Sequence, residues 1–303
     1  SYADLTSSSN GTAVVGTVSG TSISFGTPAV FEGGRTDYTS AAFDSSNNKV
    51  VISYSDKDNS NYGTAVVATV SGTSISFGSV AVYTSEYAIY NAIVFDSSVN
   101  KVVISYRAAT DGDKGKSVVG TVSGTSISFG SAVTFASGGA GIVSATYDTS
   151  LNKVLVAYSD KGNSNYGTIA LGSVSGTSIS FASGGVFESA AADDINITYD
   201  ANANKSAVFY YDEGNSFYGT ASVFTAGSTN LTSENFVGFA NSGYADGQSA
   251  AINSTCMVDS NQTSLTAGQT YYVQTSGALG TTPADPSVVA GTAISSNSII
   301  VKG

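Results

Sequence analysis

Residues 18–26 read VSGTSISFG; the same nine letters stand at 70–78 and 122–130, and again with one change at 174–182. Around this motif, Gly11, Gly63, Gly115, Gly167 and Gly219 keep a spacing of 52 residues, as do Tyr2, Tyr54, Tyr106, Tyr158 and Tyr210. A period of this length marks an array of supersecondary units, each of which buries its apolar surface by stacking on its neighbours.

One unit can be read between Asp37 and Gly78. Residues 40–43 form a short strand of small residues, and 44–48 (DSSNN) is a turn whose side chains bond their own backbone. Residues 49–55 (KVVISYS) alternate as a second strand, with Val50, Ile52 and Tyr54 on one face. A polar loop follows, and then 64–70 and 74–82 pair across the tight turn at Ser71, Gly72 and Thr73. Four hairpin-linked strands with no helical period make a blade-sized meander, so the expected fold is all-β: a β-propeller of about five 52-residue blades over 1–240. The remaining connection, 31–39 and its equivalents, is expected to cross over as a loop from the outer strand of one blade to the inner strand of the next. Small residues such as those at 40–42 suit an inner strand near an axis. The chain begins in the middle of a second strand, because SYAD at 1–4 aligns with SYSD at 53–56. The first blade therefore lacks its inner strand: either a strand from elsewhere closes it, or the chain is the processed or truncated end of a longer array. The fifth blade drifts late, where Leu231 keeps the position of Ile23 but the closing Phe has become Ser233.

Composition excludes several functions. The 303 residues are 41% hydrophobic and 11% charged, a folded rather than disordered composition. The net charge of −11, with Arg35 and Arg107 as the only arginines, leaves no basic footprint for nucleic acid and no arginine cluster for a sialidase substrate. The absence of histidine removes triads built on that residue and histidine-ligated zinc. No apolar run reaches the ~18 residues of a membrane helix, so no membrane insertion is expected. Cys256 is alone and reads as a small buried hydrophobe.

Candidate sites lie on the loops. A carboxylate pair for glycoside hydrolysis could come from Asp37, Asp56, Asp58, Glu86, Asp111, Asp113, Asp160, Asp193, Asp194 or Glu213. Most recur at equivalent positions, as turn residues do and catalytic centres do not. Asp44, Asp96, Asp148 and Asp200 recur with Lys49, Lys101, Lys153 and Lys205 five residues on, which suggests turn caps paired with lysine. Asp56 with Asp58, and Asp111 with Asp113, bring oxygens together as calcium loops do, whereas the fourth repeat loses its second carboxylate. No other cofactor is called for. The crossovers vary most: EGGRTDYTS at 32–40, TSEYAIYNA at 84–92, ASGGAGIVS at 136–144 and ESAAADDIN at 188–196. Loops on a rigid scaffold carry binding residues, and Arg35, Asp37, Tyr38, Glu86, Tyr87 and Tyr90 suit stacking on sugar rings and bonding their hydroxyls.

After Asn241 the period stops, and strand signals at 269–275, 286–291 and 298–302, with a turn at 276–280, indicate a small β domain over 241–303. Its motifs, YADG at 244–247, LTAGQTYYVQ at 265–274, GTTP at 280–283 and VAGTAIS at 289–295 with a closing IIVKG, resemble a module at the C-terminal ends of marine bacteriophage tail-fibre and other virion proteins. The upstream pattern, Tyr147-Asp-x3-Asn-Lys153 with AYSD at 157–160, is similar to repeats in the same kind of protein. The resemblance implies a non-enzymatic, oligomeric virion appendage that binds a host-surface glycan or receptor and docks on other virion proteins through its C-terminal domain. Alternatives are a carbohydrate-active propeller enzyme with two loop carboxylates, or a bacterial cell-surface adhesin or filament subunit.

Overall fold

The computed structural model describes residues 1–5, 9–224, 236, 238–242, 251–274, 279–283 and 288–302. The chain divides into two compact units, Ser1–Thr225 and Ala226–Gly303, and both are β. The boundary falls earlier than 240 because Phe236 and Phe239 pack with Leu265, Tyr271 and Ile299 in the core of the second unit. Leu231 and Ser233 lie outside the described residues.

In the first unit each repeat is an antiparallel meander. Lys49–Asp56 pairs with Tyr62–Ser71, which carries the short hairpin strand Ser74–Phe77. The crossovers at 32–40, 84–92 and 188–196, expected as loops, are strand. Ala29–Asp44 pairs through its first part with Asn10–Ala13 and through its second with Lys49–Asp56, so one strand is the last of one repeat and the first of the next. Ala81–Asp96 and Ser178–Asp200 do the same. Only the glycine-rich crossover at 137–139 separates Val133–Ala136 from Ala140–Asp148.

The partner change is made by a β-bulge, with register shifts between Asp37 and Ser40, between Ala140 and Val143 and between Asp193 and Asn196. The extra residue turns the strand and re-aims its side chains.

The invariant glycines have a packing cause. A Cβ at Gly11, Gly63, Gly115 or Gly167 would come within 2.3–2.4 Å of a ring carbon of Phe31, Tyr83, Phe135 or Phe187 respectively. Each ring lies against its glycine and reaches the next repeat, where it meets the periodic tyrosine: Phe31 with Tyr54, Tyr83 with Tyr106, Phe135 with Tyr158 and Phe187 with Tyr210, at centroid distances of 5.1–5.4 Å. The phenylalanine ending the nine-residue motif closes three of these groups, as Phe77, Phe129 and Phe181. Tyr54 and Tyr106 are fully buried; a core aromatic of this kind contributes roughly 1.5–3 kcal/mol by burial alone. Small residues bring inner strands together, since Ile93 N donates to Ser40 Oγ at 3.3 Å and Ile197 N to Ser144 Oγ at 3.2 Å.

Asp44, Asp96 and Asp148 cap their turns, but not with lysine. Asp44 Oδ1 accepts from the backbone of Ser46 and Asn47, each at 3.0 Å. Burial opposes the charge on Asp44, yet the side-chain bonds from Ser46 and Asn47, followed by these backbone bonds, hold its carboxyl below the usual range. Lys101 and Lys153 reach the hydroxyls of Thr121 and Ser173 instead, and no ion pair forms at these turns among the described residues.

In the second unit a five-stranded sheet runs in the order Val258–Asp259, Ile299–Val301, Val289–Ala293, Thr270–Val273 and Leu279–Gly280. The closing apolar run is tied in, with Ile299 and Val301 buried. Cys256, expected in a core, is exposed, because it occupies a turn at φ 66°. The YADG motif at 244–247 and most of the 276–280 turn lie outside the described residues.

Candidate functional site

The bulges set the geometry of one end of the array. Tyr38, Tyr90 and Asp194, equivalent residues of three repeats, stand at φ 53°, 54° and 46°. Side chains of this kind rarely adopt that region, and it costs on the order of 1–3 kcal/mol where it persists. Beside them, a backbone bond repeats at 52-residue spacing: Lys57 N to Arg35 O, Ala109 N to Tyr87 O and Lys161 N to Gly139 O. Residues from neighbouring repeats therefore meet at this end.

Five of the six crossover residues expected in a binding surface fall into two contiguous groups. Tyr38 and Tyr90 meet edge to face at 5.2 Å. Burial, followed by the nearby Tyr87 and Tyr90, pushes the Tyr38 hydroxyl up despite Lys57, so it remains a donor at neutral pH. Arg35 and Lys57 flank Asp37 at 3.5 and 3.1 Å, and Lys57 Nζ donates to the Tyr87 hydroxyl at 2.7 Å. The sixth, Glu86, is drawn away to Lys116 at 2.6 Å, which also holds Asp111 at 2.7 Å. Burial weakens the charge on Lys116, but these two carboxylates more than restore it.

The calcium candidates are placed differently from a calcium loop. Asp56 is buried and accepts from Asn59 N at 3.1 Å, a turn cap. The Asp58 carboxyl lies against Gly34. Asp111 is held by Lys114 and Lys116, and Asp113 by Arg107 and Lys161. Asp111 and Asp113 turn towards cations, and no three metal-ligating side chains converge among the described residues.

Arg107, Asp113 and Lys161 form the group that the sequence reading missed. Arg107 reaches Asp113 Oδ1 at 2.6 Å through both Nε and a terminal nitrogen, and Lys161 Nζ takes Oδ2 at 2.7 Å. Burial works against the Asp113 charge, but the two cations outweigh it and hold the carboxyl below its ordinary value. A usable signal was present: the register of Arg107 holds Ala3, Ser55, Ser159 and Tyr211 in the other repeats, and that of Asp113 holds Ser9, Asn61, Asn165 and Phe217. A charged pair thus stands in the third repeat where the second and fourth have small polar residues.

Arg107 and Lys161 open onto a cleft of about 240 Å³ shared by three repeats, whose lining also includes Tyr90, Gly141, Ile142, Ser159, Asn165, Asp193 and Glu213. Arg107 and Lys161 bring donors to its lining. Asp193 and Glu213 bring acceptors; they are exposed and form no ion pair among the described residues. Tyr90 and Ile142 add an apolar surface.

No protein-family model and no curated protein matches this chain. Among solved structures, the chain is similar to the SapL1 lectin in complex with alpha methyl fucoside, at 14% identity and a TM-score of 0.44, over 93% of this chain and 99% of that one. It is also similar to an exo-beta-1,3-galactanase from Phanerochaete chrysosporium with beta-1,3-galactotriose, at 12% identity and a TM-score of 0.41, over 54% of this chain and 40% of that one.

Proposed function

We propose that this protein is a non-enzymatic carbohydrate-binding protein that takes a neutral sugar ring in the cleft between its third, fourth and fifth repeats. The observation that carries this reading is that donors, Arg107 and Lys161, acceptors, Asp193 and Glu213, and an aromatic, Tyr90, line one cleft. Sugar hydroxyls donate and accept at once, and the C–H face of the ring stacks on an aromatic. A cleft of about 240 Å³ lies just under the range of about 300–1,000 Å³ for drug-sized ligands, a scale suited to one ring. Two cations against Asp113, Asp193 and Glu213 leave no surplus positive charge for an acidic sugar. Titration calorimetry against neutral and acidic monosaccharides tests this: a neutral ligand whose binding weakens at least tenfold in Arg107→Ala supports it, and equal binding by that variant sinks it.

A second reading is favoured by the same cleft, because Asp193 and Glu213 line it together and glycosidases use two carboxyl groups. Release of reducing sugar that disappears in Asp193→Asn would select the enzyme over the binder.

In this proposal the repeats are blades of a β-propeller, supported by their meander order, by inner strands that touch and by outer-strand aromatics that insert into the next sheet. Particle images showing a straight rod would refute it. The resemblance of the repeats and C-terminal motifs to phage proteins extends the proposal to a virion appendage displayed to a host glycan. Antibody labelling of a tail supports this, and labelling confined to a cell envelope rejects it.

A further inference from the structure

We infer that the cleft is one station of a longer track, and that its ligand is a neutral oligosaccharide whose second unit lies on Tyr38. This rests on the carbohydrate reading above and adds the size of the ligand to it. Tyr90 belongs to both stations. It lines the cleft, where the Arg107 guanidinium stands 6.0 Å from its ring centroid, and it meets Tyr38 edge to face at 5.2 Å. The strands that carry the two tyrosines touch through Ile93 N and Ser40 Oγ, so the backbone fixes the spacing of the rings. Tyr38 itself lies outside the cleft lining and is 38% exposed. A single ring seated in the cleft leaves it bare; a unit linked to that ring covers it.

The backbone does not require an aromatic at this place. Tyr38, Tyr90 and Asp194 share one register and one left-handed conformation, which aspartate tolerates far better than tyrosine does. Strain that persists under an exposed side chain points to a task for that side chain. Around Tyr38 the polar groups repeat the chemistry of the cleft. Arg35 and Lys57 bring donors, Asp37 between them brings acceptors, and the Tyr87 hydroxyl, which accepts from Lys57 at 2.7 Å, keeps its own proton to donate. Asp58, against Gly34, supplies a second carboxylate beside the two cations, so this station also suits a neutral unit. A unit tethered to one already bound meets its station at high effective concentration, and even a weak second contact then tightens the whole ligand.

Calorimetry on the full chain tests the inference, with neutral glucose, galactose and mannose and their linear oligosaccharides as probes. The expected result is an oligosaccharide that binds about tenfold or more tightly than its own monosaccharide, with that gain lost in Tyr38→Ala while the monosaccharide affinity stays at the wild-type value. Tyr38→Asp, which places at this φ the residue type of the fifth repeat, is expected to lose the same gain, and retained monosaccharide binding shows that either variant is folded. Arg107→Ala is expected to weaken both ligands. Monosaccharide binding that depends on Arg107, with no gain from a second unit, overturns the inference and leaves the carbohydrate reading standing. So does a Tyr38→Ala variant that weakens the two ligands alike, because Tyr38 then serves only to hold Tyr90 in place. Absence of binding by every sugar, whatever its length, removes the carbohydrate reading and the inference with it.

Discussion

The third and fifth repeats share every position of the register and differ in what surrounds it. Gly115 lies against the Phe135 ring, whereas among the described residues no atom outside its own neighbours lies within 4 Å of a Cβ added at Gly219. Ser105 is sealed and Phe209 is open; Arg107 and Asp113 form an ion pair where the fifth repeat stacks Tyr211 on Phe217 at 5.4 Å. A repeated letter therefore records a shared backbone. A changed letter records a local task.

The largest expected contrast between these repeats is steric. Gly115→Val drives a branched side chain into Phe135 and should destabilise the first unit by about 3 kcal/mol or more, whereas Gly219→Val should stay within about 0.5 kcal/mol; urea melts of the two variants measure the gap. Next is the sugar cleft, where Tyr90→Ala should lower affinity about tenfold, roughly 1.4 kcal/mol, by calorimetry, while Tyr211→Ala should leave it unchanged.

A smaller effect is expected from Asp113. Its carboxyl is held below the ordinary value of 3.8, so the stabilisation is present above that value and is lost as pH falls through the lowered one. Thermal melts below about pH 4 should show this loss in the wild type and not in Asp113→Asn, which should cost up to about 1 kcal/mol at neutral pH. Smallest of all is Glu86→Gln: its partner Lys116 keeps Asp111, so melts should move by less than about 0.5 kcal/mol and sugar binding should not change.

The legible part of this molecule is local. Turn chemistry, alternation in KVVISYS and the 52-residue spacing of glycine and tyrosine suffice for the meander, because each is decided within a few residues. The crossovers were misread as loops for the same reason: EGGRTDYTS has no alternation strong enough to mark a strand, and its pairing partners come from two different sheets. The tyrosines at 38 and 90 were found because they break repetition in a variable stretch. Asp113 was named as a carboxylate and calcium candidate, but its grouping with Arg107 and Lys161 was not foreseen, because their meeting depends on how adjacent repeats are set against each other. Cys256 shows the limit of composition: a lone cysteine is usually buried, but this one sits where the backbone must turn.

Strands that belong to two sheets at once have a mechanical consequence. Ala29–Asp44 and Ser178–Asp200 leave no slack tether between neighbouring sheets, so tension along the chain reaches each inner strand through its outer half. Because ladder bonds lie across the strand direction, such a load is met in shear by many bonds together rather than one at a time. An array of this kind yields by sliding whole registers rather than by opening one bond after another.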